Sequence, residues 1–422
     1  MHGMWLHRAA LYASAQFSRP TIRFLIILFL VCATLEVVTS QDGFVSINCG
    51  ASQEQNSTSG FLWDTDSRYI ALGFNANTSV NASAPYDTLR YFNDTALKRN
   101  CYVFNTTIDF SYLVRASFLY GNYNSLSVLP SFDLLFGANF WANVTFKDAS
   151  EIVIHEMIVL ATSNTSSVCL GRSKSNDDPF ISSLELRRLS SQQSMYSPVH
   201  QNFMMKTNSR INFGQKDNSS VRFPDDIYDR IWASDSEVVN GISTYNVTHA
   251  VNNVSNENSF DFPPSKVMQT ARSPNKTGNM SISFLAMLGP GSYYLAFYFA
   301  ELDSSTSEHR IMDVYLDKAS ASPALDVANH SGIYNTLELF DRNHTVNESY
   351  ILTLVPSETS KRPPIINAAE SYFLQSITSS TFEKDDMMGI QTFAQTALVF
   401  HQHQLQHLSF YQQEMRKNQL VL

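Results

Sequence analysis

Tyr112 to Tyr123 reads YLVRASFLYGNY, and Tyr293 to Leu302 reads YYLAFYFAEL. In the first, polar Arg115 and Ser117 alternate with apolar neighbours, the period of two that marks a half-buried strand. The two stretches belong to a longer duplication. Ile47-Asn48-Cys49-Gly50 recurs as Ile211-Asn212-Phe213-Gly214, Phe132-Asp133-Leu134-Leu135 as Met312-Asp313-Val314-Tyr315, and Pro179 to Glu185 (PFISSLE) as Pro364 to Glu370 (PIINAAE). The landmarks keep their order, roughly 165 to 185 residues apart. A unit of that length exceeds the about 20–50 residues of a solenoid repeat, so each copy is expected to be a module with its own core.

Short strand signals fill both copies. Phe44 to Asn48, Tyr102 to Ile108, Leu113 to Tyr120, Phe132 to Phe136, Trp141 to Phe146 and Ile152 to Leu160 mark the first; Ser281 to Phe284, Tyr293 to Phe299, Ile311 to Leu316 and Tyr350 to Val355 mark the second. They are rich in Val, Ile, Phe and Tyr, punctuated by Gly and Asn, and amphipathic helices are scarce. The expected fold is all-β: two tandem antiparallel β-sandwich lobes, residues 41–190 and 209–376. A polar linker is expected at 191–208, a signal helix at 1–40, and a disordered or weakly helical polar tail at 377–422. His401, His403 and His407 in that tail have no carboxylate or cysteine beside them, so no metal and no cofactor are expected.

The N-terminus carries Arg8, Arg19 and Arg23, then the apolar run Phe24 to Leu35 and the small polar Val38-Thr39-Ser40. This reads as a secretory signal peptide, and an uncleaved anchor is the alternative by which the chain would meet a membrane. Asn-x-Ser/Thr acceptors agree with export. They stand at Asn56, Asn77, Asn81, Asn93, Asn164, Asn218, Asn246, Asn253, Asn275, Asn329 and Asn343, with further ones at Asn279 and Asn347 and, close to strand-like runs, at Asn105 and Asn143. Beyond the signal, Cys49, Cys101 and Cys169 allow one disulfide and one leftover thiol, and the sequence leaves the pairing open.

A net charge of −9 with no basic cluster argues against nucleic acid. Catalysis is not expected either. Glu151 and Glu156, five positions apart on an extended strand, point to opposite faces, and no GxSxG, HExxH or phosphate loop occurs. Asp225 and Asp226, next to Arg222 and Arg230, read as a solvated turn or a salt-bridge cluster.

Leu89-Arg90-Tyr91-Phe92, Arg99-Asn100-Cys101-Tyr102, the Tyr112 to Tyr123 run, Phe132-Asp133-Leu134 and Pro179 to Arg187 resemble the malectin-like ectodomain of plant leucine-rich-repeat receptor-like kinases. Arg230-Ile231-Trp232, Pro264 to Ala271 and Tyr298-Phe299-Ala300-Glu301-Leu302 fit the same family. The resemblance covers about residues 43 to 376 and implies two malectin-type lobes packed at an angle, with a cleft between them. The chain departs from the family in having no leucine-rich repeats after Tyr372, no second apolar span and no kinase motifs.

The resemblance implies recognition of a carbohydrate or a secreted peptide in the inter-lobe cleft, with full-length receptor-like kinases as further partners and an extracellular, apoplastic location. The alternative is a structural spacer or a receptor fragment without its own ligand. Aromatic rings suit the C–H faces of sugars, and neighbouring carboxylates suit their hydroxyls. Ligand-binding candidates are therefore Trp63, Asp64, Asp66, Tyr69, Tyr86, Tyr91, Tyr120 and Tyr123, with Trp63-Asp64-Thr65-Asp66 read as a polar loop. For Tyr91, Tyr120 and Tyr123 the competing role is packing, and Trp232 reads as a core or lobe-interface tryptophan.

Overall fold

The computed structural model describes residues 43–377 apart from 58–59, 174–176, 216, 236–244, 250–252, 275–277 and 305–307, with side chains also left undescribed at 245–249. The expected signal peptide at 1–40 and the expected tail from residue 378 lie outside the described residues. In the first copy the strands are Phe44–Asn48 (β1), Gln55–Asn56 (β2), Leu62–Thr65 (β3), Phe74–Asn77 (β4), Thr88–Tyr91 (β5), Arg99–Asn105 (β6), Ser111–Leu119 (β7), Phe132–Phe136 (β8), Asn139–Val144 (β9), Ile152–Leu160 (β10), Thr165–Arg172 (β11), Phe180–Ile181 (β12) and Ser183–Arg188 (β13). In the second they are Phe203–Asn212 (β14), Ala233–Ser234 (β15), Tyr245–His249 (β16), Thr270–Pro274 (β17), Met280–Leu285 (β18), Gly291–Phe299 (β19), Ile311–Leu316 (β20), Ala319–Asp326 (β21), Leu337–Val346 (β22), Ser349–Pro356 (β23) and Ala368–Ser376 (β24).

One sheet runs through both copies in the order β2-β3-β1-β13-β7-β10-β14-β24-β19-β22, with β15 beside β14. Two four-stranded sheets, β6-β11-β8-β9 and β18-β23-β20-β21, pack on one face of it. That makes two sandwiches. Val114, Ala116 and Phe118 of β7 enter the first core with Phe132, Leu134 and Leu170, and Tyr293, Leu295 and Phe297 of β19 enter the second with Met312, Val314 and Leu354. Only the two halves of the long sheet are joined, through β10 and β14, where Met157 opposes Lys206 and Ile158 opposes Met205. Residues 191–208 are therefore not a solvated linker. They form a 3-10 turn at Ser197–Gln201 and open β14, with Met195, Tyr196, Val199 and Met205 buried because the outer face of the long sheet needs an apolar cover, and Met204 buried in the first core.

The duplication holds down to single hydrogen bonds. Gly50 and Gly214 both have positive φ, and a Cβ there would strike the carbonyls of Leu89 and Ala271. Their amides donate to Asp66 and Asp235, which pair with Arg90 and Arg272. Thr88 donates to Asn48 Oδ1 at 3.0 Å and Thr270 to Asn212 Oδ1 at 2.8 Å. Cys101 and Cys169, directly opposite on β6 and β11, form the disulfide, and Cys49 is left buried as a thiol.

The outer face of the long sheet carries a buried ionic network. Arg115 meets Glu156 at 2.6 Å, Glu185 at 3.1 Å and Asp229 at 3.2 Å. Asp229 also accepts from Arg187 and Arg222, each at 2.8 Å. Across the β10–β14 seam, Arg210 meets Glu156 at 2.8 Å and Glu370 at 2.6 Å. Asp226 belongs to this network rather than to a solvated turn: it is buried and accepts from Arg230 Nε at 2.8 Å and Trp232 Nε1 at 2.7 Å. Removing one member strands its partners, which costs about 3–5 kcal/mol. Asp229→Ala should lower unfolding free energy by about that much in denaturant titrations; a loss no larger than that of an exposed control such as Asp94→Ala would show that the network does not hold the halves.

Candidate functional site

The sequence-derived candidates separate by burial. Trp63 lies in β3 rather than in a loop and is 5% exposed. Asp66 is 1% exposed and spends its oxygens on Arg90, Gly50 N and the Tyr102 hydroxyl at 3.1 Å. Tyr120 is fully enclosed, donating to Asn124 Oδ1 at 2.6 Å. These three are buried and offer little surface to a ligand: Trp63 lies on β3, which pairs in parallel with β1, Asp66 in the turn after it, and Tyr120 just after β7 within the first core. Asp64 is half-buried and pairs with Arg68 at 3.3 Å. Tyr69 packs on the core edge, and the half-buried Tyr86 sits near Ser117, Glu185 and Arg115, its hydroxyl pKa raised by burial.

Tyr91 and Tyr123 do meet. Their ring centroids are 5.2 Å apart, and Phe74, 56% exposed and opposite Tyr91 across β4 and β5, continues the row at 5.7 Å. Burial pushes the Tyr123 hydroxyl well above its ordinary range, beside Asp178. Phe74 was not among the sequence-derived candidates, although its cross-strand register with Tyr91 is what makes the row.

A second feature lies where the sandwiches meet. The two four-stranded sheets share no hydrogen-bonded edge, so β10, β14 and β24 form a floor between β9 on one side and the end of β18 on the other. Gln375 of β24 donates to Phe140 O of β9 at 2.8 Å. On the other side Asn208, at a bulge in β14, donates to Leu285 O and accepts from Met287 N, both at 2.9 Å. Phe140 (48%), Leu285 (62%), Met287 (66%) and Leu288 (41%) are all exposed at this junction. In the floor, Lys206 is 9% exposed, its ammonium 5.4 Å from the Phe140 ring centroid. Burial lowers its pKa to about 8, and it lowers that of the buried His155 beside it, held mainly by desolvation at about 4. Reading 191–208 as a linker hid Lys206; the signal available was Met204-Met205, an apolar pair where a linker should be polar.

Beneath the outer cover, Asp261 and Glu338 form a carboxyl pair. Burial raises both, Asp261, which also feels the Glu370 charge, to about 7, and Glu338, which also feels the Asp261 charge, to about 9. Glu338 Oε2 accepts from Phe260 N at 2.6 Å and Asp261 N at 3.1 Å, while its Oε1 is buried without a partner. Tyr196 N donates to Asp261 at 2.7 Å, and Tyr294 donates to its other oxygen.

Each of these carboxyls has a folded pKa above its unfolded one. The stability they contribute is fully present below the unfolded pKa of about 4 and is lost as pH rises through about 7 and then about 9. Thermal melts between about pH 5 and about pH 9 should show stability falling by roughly 1–3 kcal/mol, and Glu338→Gln should flatten that fall. A stability that is level or rising over this range would refute the assignment.

The acceptor asparagines with described side chains are exposed at 56, 77, 81, 93, 105, 143, 164, 218, 253, 279, 329, 343 and 347. The side chains of Asn246 and Asn275 lie outside the described residues. No helix among the described residues is long and apolar enough to cross a membrane.

A family model described as the malectin-like domain matches residues 47–374. A probable LRR receptor-like serine/threonine-protein kinase of Arabidopsis thaliana is 34% identical over 360 residues, which are 81% of this chain and 37% of that protein. The chain thus spans well under half the length of the curated relatives it matches. Among solved structures, that of the plant receptor-like kinase FER superimposes with a TM-score of 0.66 at 18% identity, over 81% of this chain and 97% of that one. A structure of plant peptide RALF23 in complex with FER and LLG2 gives a TM-score of 0.64 at 18% identity, over 79% of this chain and 95% of that one. At such identity the likeness is one of fold. The matched region is the non-catalytic malectin-like ectodomain, and no kinase domain is matched in this chain.

Proposed function

The chain belongs to the malectin-like domain family, and on that premise we propose that it is an extracellular recognition module whose ligand lies across the junction of its two sandwiches. The observation that carries this reading is the exposure of large apolar side chains on both sides of the β14–β24 floor, Phe140 on β9 and Leu285, Met287 and Leu288 at the end of β18. Burying such side chains is worth about 1.5–3 kcal/mol each, so leaving several together in water favours an occupant. The similarly folded receptor whose structure is described as a complex with peptide RALF23 supports a peptide ligand for this fold.

The division into lobes at 41–190 and 209–376 fits this role, with β14 as the join rather than a free hinge. The exposed acceptor asparagines support passage through the secretory pathway to the cell exterior and attachment of glycans there. Full-length receptor-like kinases remain the natural co-receptors on this reading.

The Phe74, Tyr91 and Tyr123 row favours a second reading, carbohydrate binding on the first lobe, since stacked rings with a half-exposed edge suit sugar C–H faces. The two separate by mutation. The chain secreted from plant cells would be applied to arrays of cell-wall oligosaccharides and of peptides. Phe140→Ala with Met287→Ser should reduce retention about tenfold or more if the junction binds, leaving Tyr91→Ala with Tyr123→Ala unaffected. The reverse pattern would move the site to the aromatic row, and retention by neither would make the protein a spacer.

A further inference from the structure

Lys206 is a cation in an apolar setting with no counterion among the described residues. No described carboxylate is paired with its ammonium, and its nearest acid across the strand pairing, Glu156, faces the opposite side of the sheet, where Arg115 and Arg210 hold it. Its one charge-stabilising neighbour is the Phe140 ring, worth about 0.5–1 kcal/mol for a half-exposed cation–π contact. Beside it, His155 packs its ring 6.2 Å from Phe118, and its Nε2 is buried without a partner. Elsewhere in this protein the buried guanidiniums are met by carboxylates; this ammonium is not.

Resting on the junction reading above, we propose that Lys206 is the anchor for a ligand carboxylate, and that the occupant is a peptide segment carrying an acidic group next to an apolar side chain. The carboxylate supplies the missing charge in a site of low dielectric, where such a pair is worth more than on an open surface. The apolar side chain covers Phe140, whose ring lies 5.4 Å from the ammonium, and reaches toward Met287, whose amide is held by Asn208 two residues along β14. An acidic sugar would satisfy the lysine and leave those side chains in water, so the apolar rim favours the peptide. Binding a carboxylate would return the lysine from about 8 toward its ordinary pKa.

The test uses the whole secreted chain on an array of heptapeptides in which each Asp- or Glu-containing sequence is paired with its Asn or Gln twin, alongside oligogalacturonates as the acidic sugar. Acidic apolar peptides should be retained about tenfold more than their twins, Lys206→Met should erase that preference, and Lys206→Arg should keep most of it. Lys206→Met removes an uncompensated charge and should leave the melting temperature unchanged or raised, which confirms folding. Equal retention of acidic and amide twins, or a preference that survives Lys206→Met, overturns the anchor. Retention of oligogalacturonates alone overturns the peptide. Retention that depends on Phe140 and Met287 but ignores ligand charge sinks this inference and leaves the junction reading standing; independence from all three residues sinks both.

Discussion

Glu156 is the side chain on which the assembly of the two sandwiches turns. Its carboxylate takes Arg115 of the first copy and Arg210 of the second, and accepts the Thr207 hydroxyl at 3.2 Å, directly over the short β10–β14 seam. Both guanidiniums hold its pKa below the usual carboxylate range despite complete burial. A buried ion pair of this kind gains little over an apolar core but is costly to break, so it acts as a register lock more than as a source of net stability. The surrounding outer face extends the same logic. Five arginines (115, 187, 210, 222 and 230) are met there by the carboxyls of 156, 185, 226, 229 and 370, while Asp261 and Glu338 have no side-chain ion pair with a guanidinium among the described residues and burial raises their pKa values instead.

The network sits where the duplicated copies stop being equivalent. Arg115 opposes Glu156 on β10, and the matching positions of the second copy are Ala296 and Phe340 on β19 and β22. Since β22 ends the sheet and β10 does not, the Arg115–Glu156 pair stands where another strand must be received, and its counterpart in the second copy is apolar. By contrast, the Asn, Gly, Asp, Thr and Arg set around residues 48 to 90 is kept at 212 to 272, because it closes the same backbone turn inside each sandwich. Internal geometry was preserved between the copies and the joining surface was not.

That difference also decides what the sequence could reveal. The landmark pairs were legible because strands such as β7 and β19 are read by alternation and by aromatic content, and both enter cores that repeat. Trp232 was legible as core for the same reason, and the family resemblance followed from the ordered motifs. The pairing of Cys101 with Cys169 was not, since it depends on the β6–β11 register. Trp63 and Asp66 misled because their polar neighbours look like a loop, while the Asp66 carboxylate is consumed internally by Arg90 and Gly50. The junction residues gave little local signal beyond Met204-Met205: Phe140, Lys206 and Met287 are distant in sequence and are placed on β9, β14 and after β18 only by the shared sheet.

β14 explains why the seam in particular escaped. A period of two would place Met204, Lys206, Asn208 and Arg210 on one face. Met204 and Lys206 do face the sandwich side, but the irregularity between Thr207 and Ser209 inserts one residue, so that Arg210 turns to the outer face to reach Glu156 and Glu370. The extra residue, Asn208, is expelled from the ladder and uses its amide to hold Leu285 and Met287 in place. A single bulge therefore sets three things together: it delivers Arg210 to the ionic lock, leaves Lys206 on the opposite face without a partner, and fixes one wall of the junction. The uncompensated lysine and the exposed wall are consequences of how the two copies are joined, which is why the junction belongs to the tandem and not to either sandwich alone.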